Sequence, residues 1–535
     1  IATNIYDVDS GKEIARSQVE GPAADVLRLV DELAIASMRS LLREIGGDGT
    51  ADASAETITT SSLPALRAYL EGEKSYRAGR YAEAVQSFER AVAADSTFAI
   101  ALVRLADAFG GLEGVESQRM REVRIRAVAQ KHRLSPRYQF ILTGWDALYR
   151  NSIDGLALLQ EAVRKYPDDA GAWFLLGETY YHLGGATYGT DEDMWAALQR
   201  AATLDPNIAI HYFHMAEYAV LRGDSALARQ IIRRYRSLSG DSAALKHVEI
   251  GIPLVLGNDR QAADAFRAAA ALPVREQEEL VGQFSGRHDR FDRAAVMDSL
   301  WADAGKTDRK MFQAFYAASQ GMARRGSTIA QAADITPWAR AIYHAQMLAF
   351  WNVQPPTGVL KVDVCEPTWI TCAILVGPAF AQLGRWPEYQ QVITRLRGAA
   401  SSAPDTAAAR GLETAAEVLN GIGMHRRGDV DGARELLTRY ASTPGPTGDA
   451  ARLELAWLET GAQRPAQALR HFLSVRNGFL RPMALYGAAR IHEQRGEPDK
   501  AHMYWSKFVT LTRKGDELPR ISEGRRALAR HTVGR

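Results

Sequence analysis

Histidines, carboxylates and two cysteines are the residues that could carry chemistry in this 535-residue chain. His211, His214 and Glu217 fall at three-residue steps, so on a helix they share a face and could in principle hold a metal ion. No further ligand accompanies the trio, so hydrogen bonding in a groove or between packed helices is the default reading. Glu178 and His182 stand four residues apart, one helical turn. Without a nucleophile or metal beside them they read as a structural polar pair rather than an acid–base couple. Cys365 and Cys372 flank "EPTWIT". A disulfide between them requires the turn at Pro367 to bring the two together, and two buried free thiols are the default. An oxidising compartment would favour the bridge.

Reactive motifs are otherwise missing from the sequence. There is no Gly-x-Ser-x-Gly elbow and no His-Glu-x-x-His. "GKT" at 305–307 has Leu300 where a phosphate-cradling loop needs glycine. "GLEG" at 111–114 and "NGIG" at 420–423 read as helix ends. No catalytic residue, cofactor or resident metal is expected, and the chain is not expected to be an enzyme. A formal net charge of +2 gives no electrostatic case for nucleic acid. In "RMREVRIRAVAQKHR", 119–133, Arg119, Arg126 and Arg133 recur every seven residues, the pattern of a solvated helix face. The most apolar run, 368–383, falls short of a membrane span and contains Pro378, so no transmembrane helix is expected.

The elements that must position these residues show in a repeated spacing. In "AGRYAEAVQSFERAVAADS", 78–96, Gly79 is followed after five, nine and twelve residues by Ala84, Phe88 and Ala91, which share one helical stripe. Small residues let a neighbouring helix come close, and the large one fills the gap. The spacing recurs from Gly223 (Ala228, Ile232, Tyr235), Gly257 (Ala262, Phe266, Ala269), Gly428 (Ala433, Leu437, Tyr440) and Gly496 (Ala501, Trp505, Phe508). Gly384 opens a weaker copy in Tyr389, Ile393 and Leu396. Leu66 to Ile100 and Arg137 to Gly171 are each 34 residues, the tetratricopeptide period.

The sequence therefore resembles the tetratricopeptide repeat (TPR) family, whose Trp-x2-Leu-Gly-x2-Tyr pattern stands here as Trp173, Leu176, Gly177 and Tyr180 of "WFLLGETY". Roughly ten to twelve hairpins are expected between residues 63 and 515. The resemblance implies a mainly α protein, a right-handed α-solenoid of antiparallel helix pairs with a concave inner face. In the repeat frame the fifth positions of successive first helices are Tyr69, Val103, Phe140, Phe174 and Phe213. The ninth positions are Glu73, Asp107, Gly144, Glu178 and Glu217. These rows either pack neighbouring hairpins together or line a groove for a segment with large apolar anchors and basic residues. TPRs that grip acidic chaperone tails use Lys, Asn and Arg instead, so that ligand class is not expected.

The opening of the chain differs from the rest. Residues 1–47 read as two short strands around the turn Asp9-Ser10-Gly11-Lys12 and a long amphipathic helix from about Pro22 to Ile45. Residues 48–62 read as a linker, 63–273 as an N-terminal TPR array, 274–367 as an irregular helical segment with a Pro-rich loop, and 368–535 as a C-terminal array with a capping helix. Within the irregular segment helices are expected at about 289–304, 308–325 and 337–351, and "VLKVDV" at 359–364 looks β-like.

Taken together, "D..SGKEI....VEG...DVLRLVDELA", "LGETYYHLGGATYG", "DPNIAIHYFHMAEYAVLRGD" and "RIHEQRGEPDKAHMYWSKFVTL" resemble bacterial proteins in which a TolB/FlgO-like α/β domain precedes a TPR array. Glu178 and His182 match the Gly-Glu…His of that family. Such arrays are commonly attached through a membrane helix to a serine/threonine kinase, a cyclase or a winged-helix regulator. The resemblance implies the non-catalytic, extracytoplasmic or periplasmic part of such a protein, a scaffold or sensor arm docking onto a membrane-associated protein or complex. The alternative is a small-molecule-sensing regulatory region whose output domain lies outside these residues.

Overall fold

The computed structural model describes residues 1–8, 10–22, 26–45, 60–113, 117–239, 245–273, 276–277, 280, 309–366 and 368–533. Most of the expected linker, the helix expected at 289–304 and Pro367 fall outside them. The described chain is a TPR-type α-solenoid with a short β-hairpin and helix at its start.

The hairpin pairs Ala2–Tyr6 antiparallel with Glu13–Gln18, Ile5 opposite Ala15. Alternation on the second strand puts Ala15 and Ser17 inward, and the Ser17 hydroxyl donates to Ser40 Oγ (3.1 Å) on the helix Val26–Ile45. Ile35 of that helix joins the apolar cluster of Leu66, Tyr69 and Phe88. A lone hairpin and helix gain the buried face they lack alone.

Helix pairs follow, each started by a local signal. Ser62 caps Leu63–Arg77 by accepting from Ala65 N, with a proline in the first turn. Asn258 and Gln261 form a reciprocal capping box before Asp259–Ala270. Gly79, Gly223, Gly384, Gly428 and Gly496, at the turns of five pairs, all adopt positive φ, where a Cβ is unfavourable. The stripes behind them are buried, apart from the half-buried Tyr440 behind Gly428: Ala84, Phe88 and Ala91, like Ala501, Trp505 and Phe508, have no exposed surface. The close approach this stripe allows is visible at Gly72, where a Cβ would lie 2.5 Å from the Phe88 ring.

Two further pairs follow the same rule, one of them without the turn glycine. Gln463 takes the turn between Pro465–Leu473 and the helix before it at φ 56°, and Ala468, Phe472 and Val475 follow at offsets five, nine and twelve, all buried. A left-handed glutamine costs about 1 kcal/mol or more that glycine does not. Gln463→Gly should therefore raise stability by about 0.5–1 kcal/mol, read as an upward shift in the denaturant midpoint, and a downward shift would contradict it. The second pair lies in the segment expected to be irregular: Arg309–Gln320 and Ala323–Ala330 turn at Gly321 (φ 71°), with Gly326 and Ala330 five and nine residues on.

Pro337–Trp351 forms as expected, whereas "VLKVDV" holds no strand, only a 3-10 turn at Val362–Val364. Next to it the default of free thiols fails. Cys365 and Cys372 are bridged, with Cα atoms 5.7 Å apart. Trp369 N donates to Glu366 O (2.9 Å) just before Ile370–Gln382 begins.

The residues fall into two compact units. One comprises Ile1–His182, Asp191–Ala219 and Ala226–Leu245; the other Leu183–Thr190, Val220–Ser225 and Lys246–Arg535. In the first, the last residue of the first hairpin's opening helix reaches the fourth hairpin, where Arg77 donates to both Asp205 carboxylate oxygens at 2.7 Å. In the second, the last helices return to early ones. Asp516 N donates to Gly321 O (3.0 Å), its carboxylate accepts from Arg324 N (2.8 Å), and the Phe508 ring packs tilted against Trp351 with centroids 6.3 Å apart. Pro519–Val533 is thus more than a polar cap: Ile521 and Ala527 are fully buried and Arg520 donates to Phe350 O.

Candidate functional site

The two rows of the expected inner face are placed mainly against one another. Tyr69 and Val103 are buried, while Phe140, Phe174 and Phe213 are half-buried and keep surface in contact with solvent. Acids of the second row are paired within the array, Glu73 and Glu178 with a cation of the next first helix and Asp107 and Glu217 with one three residues earlier on their own. Arg104 donates to Glu73 (2.7 Å) and lies 3.5 Å from Asp107, which also accepts from Trp145 Nε1 (2.6 Å). Burial pushes the Asp107 carboxyl up to about 6, against the pull of Arg104 and Trp145. Gly144, the member without a side chain, gives its space to Leu159, 2.5 Å from where a Cβ would stand. Packing between hairpins therefore occupies the acids, and the half-buried phenylalanines also meet the chain's own residues: Phe140 packs on the cluster around Leu159, Phe174 lies 5.1 Å from the His211 ring and Phe213 5.1 Å from the His214 ring.

The densest cluster of titratable groups lies where Ala170–Leu183 meets Phe213–Leu221. Glu178 and His182 project one turn apart from the first helix, and His214 and Glu217 from the second. Glu178 Oε2 lies 3.4 Å from His182 Nε2 and 3.5 Å from His214 Nε2. The other ring nitrogen of His214 is 2.6 Å from Glu217 Oε2, which also accepts from the Tyr181 hydroxyl. Tyr181 stacks on the His214 ring at 3.6 Å. One ligand-capable atom from each of Glu178, His182 and His214 lies within 4.8 Å of the others.

Charge follows from this enclosure. Burial alone would strip the His214 proton, but Glu178 and Glu217 on either side hold it, raising its pKa to about 9. Burial alone would likewise raise Glu178, yet His214 and His182 bring it down to about 2. The trio read along one helix is therefore regrouped across two. His214 and Glu217 stay together, and Glu178 and His182 take the place of His211.

His211 sits apart, its Nδ1 3.1 Å from Asp205 O and its ring 5.1 Å from Phe174. Burial lowers its pKa to about 4 although Asp205 pulls the other way. Neutral in the fold and protonated near pH 6.5 when unfolded, it contributes stability above about pH 6.5 that is lost as pH falls to about 4. Denaturation midpoints should drop less through that window in His211→Gln than in the parent. Equal slopes would count against this assignment.

Residues 69–109 and 144–186 match the family model described as tetratricopeptide repeat, and over these stretches the chain carries such repeats. No curated protein matches the chain. Among solved structures it is similar to the crystal structure of the APC/C hetero-tetramer Cut9–Hcn1, at 12% identity over 88% of this chain and 90% of that one, TM-score 0.28. Yeast Tom70 is similar at 11% identity over 88% and 96%, TM-score 0.27. The human IFIT1 dimer with PPP-AAAA is similar at 12% identity over 85% and 91%, TM-score 0.29. Identities and scores this low say nothing of what this chain binds.

Proposed function

Starting from a chain that carries tetratricopeptide repeats, we propose that it is a non-enzymatic protein-interaction scaffold or sensor arm, extracytoplasmic and docking onto a membrane-associated protein or complex. The observation that carries this reading is the half-buried aromatic row Phe140, Phe174 and Phe213 on successive first helices of one unit. Large rigid rings at one-repeat intervals suit a partner with matching apolar side chains. The disulfide Cys365–Cys372 supports the oxidising side of a membrane, since such bridges persist outside the reducing cytosol. Among the described residues no helix is long and apolar enough to cross a membrane, so anchorage would come from the partner or from elsewhere in a longer protein.

Affinity purification from detergent-solubilised membranes tests this. A stoichiometric protein companion is expected, and its recovery should fall severalfold in Phe174→Ala/Phe213→Ala. A lone chain in the parent eluate would overturn the reading. One observation favours sensing as a second reading. An open groove of about 760 Å³ beside the disulfide is lined by Lys361, Asp363, Arg385, Gln390, Thr394 and Arg395, a basic setting for an anionic metabolite. A melting temperature that rises with such metabolites and not with membrane extracts would favour it.

A further inference from the structure

We propose that Glu178, His182 and His214 form a binding site for a zinc-class cation that pins two successive first helices together. Three features of the cluster, independent of what docks on the chain, point to a ligand set rather than a simple ion pair.

The first is distance. Zinc bound at about 2.0–2.1 Å in a tetrahedron has ligand atoms about 3.3–3.4 Å apart along each edge. Glu178 Oε2 lies 3.4 Å and 3.5 Å from the two Nε2 atoms. These separations are longer than the usual charge-assisted hydrogen bond of about 2.7–2.9 Å and match the edges of a coordination shell.

The second is orientation. A metal-binding imidazole almost always donates its other N–H to a carboxylate or carbonyl, which fixes the ring and its tautomer. His214 does this through Nδ1 to Glu217 Oε2 at 2.6 Å, and Tyr181 fixes that carboxylate in turn. Nε2 is thereby aimed at Glu178, and a cation bound there takes the place of the proton between the two.

The third is the oxygen left over. Glu178 Oε1 is buried and accepts no hydrogen bond from the described residues, although its side chain is only 13% exposed. The two histidines approach only its Oε2, which leaves Oε1 as an unused ligand atom for a bound cation. His182, 43% exposed on its side chain, forms the open side of the cluster and leaves a fourth position for water. Two imidazoles with one carboxylate suit zinc and its first-row neighbours, whereas calcium and magnesium take all-oxygen shells.

The test uses the full chain, free of any polyhistidine tag, stripped with a chelator and titrated with zinc alone against a chromophoric competitor. One equivalent per chain is expected, with cobalt giving the visible bands of tetrahedral nitrogen and oxygen ligation. His182→Gln removes the most exposed of the three ligands and should weaken binding by about 100-fold or more. Glu217→Gln, acting through His214, should weaken it on the order of 10–100-fold. His132→Gln, at an exposed histidine elsewhere, should leave binding unchanged. Zinc should raise the melting temperature of the parent and not that of His182→Gln. No stoichiometric binding, or equal binding in the parent and in a His182→Gln chain with parental circular dichroism, would overturn the site.

Discussion

Asp449→Ala is expected to destabilise the second unit by about 3–5 kcal/mol, because it strips the partner from a charge that has no access to water. Arg452 is 1% exposed. Its guanidinium donates to Asp449 Oδ1 (2.8 Å) and to the carbonyl of Ala441, while its Nε already lacks an acceptor. The same carboxylate accepts from Arg476 N and Asn477 N, both at 2.9 Å, so one truncation orphans two backbone donors and a cation. Asp449→Asn keeps the shape and part of the bonding and should lose roughly half as much. In the double variant Asp449→Ala/Arg452→Met the buried charge is gone, and much of the loss should return. Denaturant midpoints of the parent, these three variants and Arg452→Met alone decide it. Losses that simply add in the double variant would show that the charge is not what Asp449 supports.

The second large effect concerns the tight seat of Phe88. This ring is fully buried against Tyr69 (5.8 Å between centroids) and Tyr76 (6.5 Å), with Gly72 beneath it. Phe88→Ala should cost about 3–5 kcal/mol by opening a cavity in a core that cannot collapse freely. Gly72→Ala alone should cost about 1–3 kcal/mol, since its new methyl would stand 2.5 Å from a ring with nowhere to go. Placed in the Phe88→Ala background, the same substitution fills vacated space and improves helix propensity by about 1 kcal/mol, so its sign should reverse. Circular dichroism melts of the single and double variants measure this directly. A Gly72→Ala penalty of the same size in both backgrounds would show that the helices are not set apart by that ring.

Physical range explains which parts were legible in the sequence. Turn glycines and buried stripes are local, so Gly79 with Ala84, Phe88 and Ala91 announces its hairpin within one repeat. Where the turn is taken by Gln463, only the residues behind it carry the signal, and that pair goes unread. Gly321 was readable on the same rule, but its second helix is short (Ala323–Ala330) and the stripe ends early. The Glu178–His182 spacing shows a shared helical face. Nothing along the chain says that His214 faces them, because that depends on how one hairpin stacks on the next. The pairing of Arg77 with Asp205 lies 128 residues apart and is likewise a matter of stacking. The ninth-position acids follow from the repeat frame, yet Glu73 and Glu178 meet Arg104 and His214 of the next repeat, which spacing along the chain does not show.

The return of residues 508–521 onto 318–351 within the second unit bears on how such a chain can change over generations. In an open stack each hairpin touches only its neighbours, so duplication or loss of a hairpin leaves the others intact. Here the span from Ile370 to Gln494 must deliver Asp516 to Gly321 and Phe508 to Trp351. One unit more or fewer would displace those meetings by a whole hairpin's width. The closed arrangement therefore fixes the copy number of its repeats, and variation is channelled into side chains and loops.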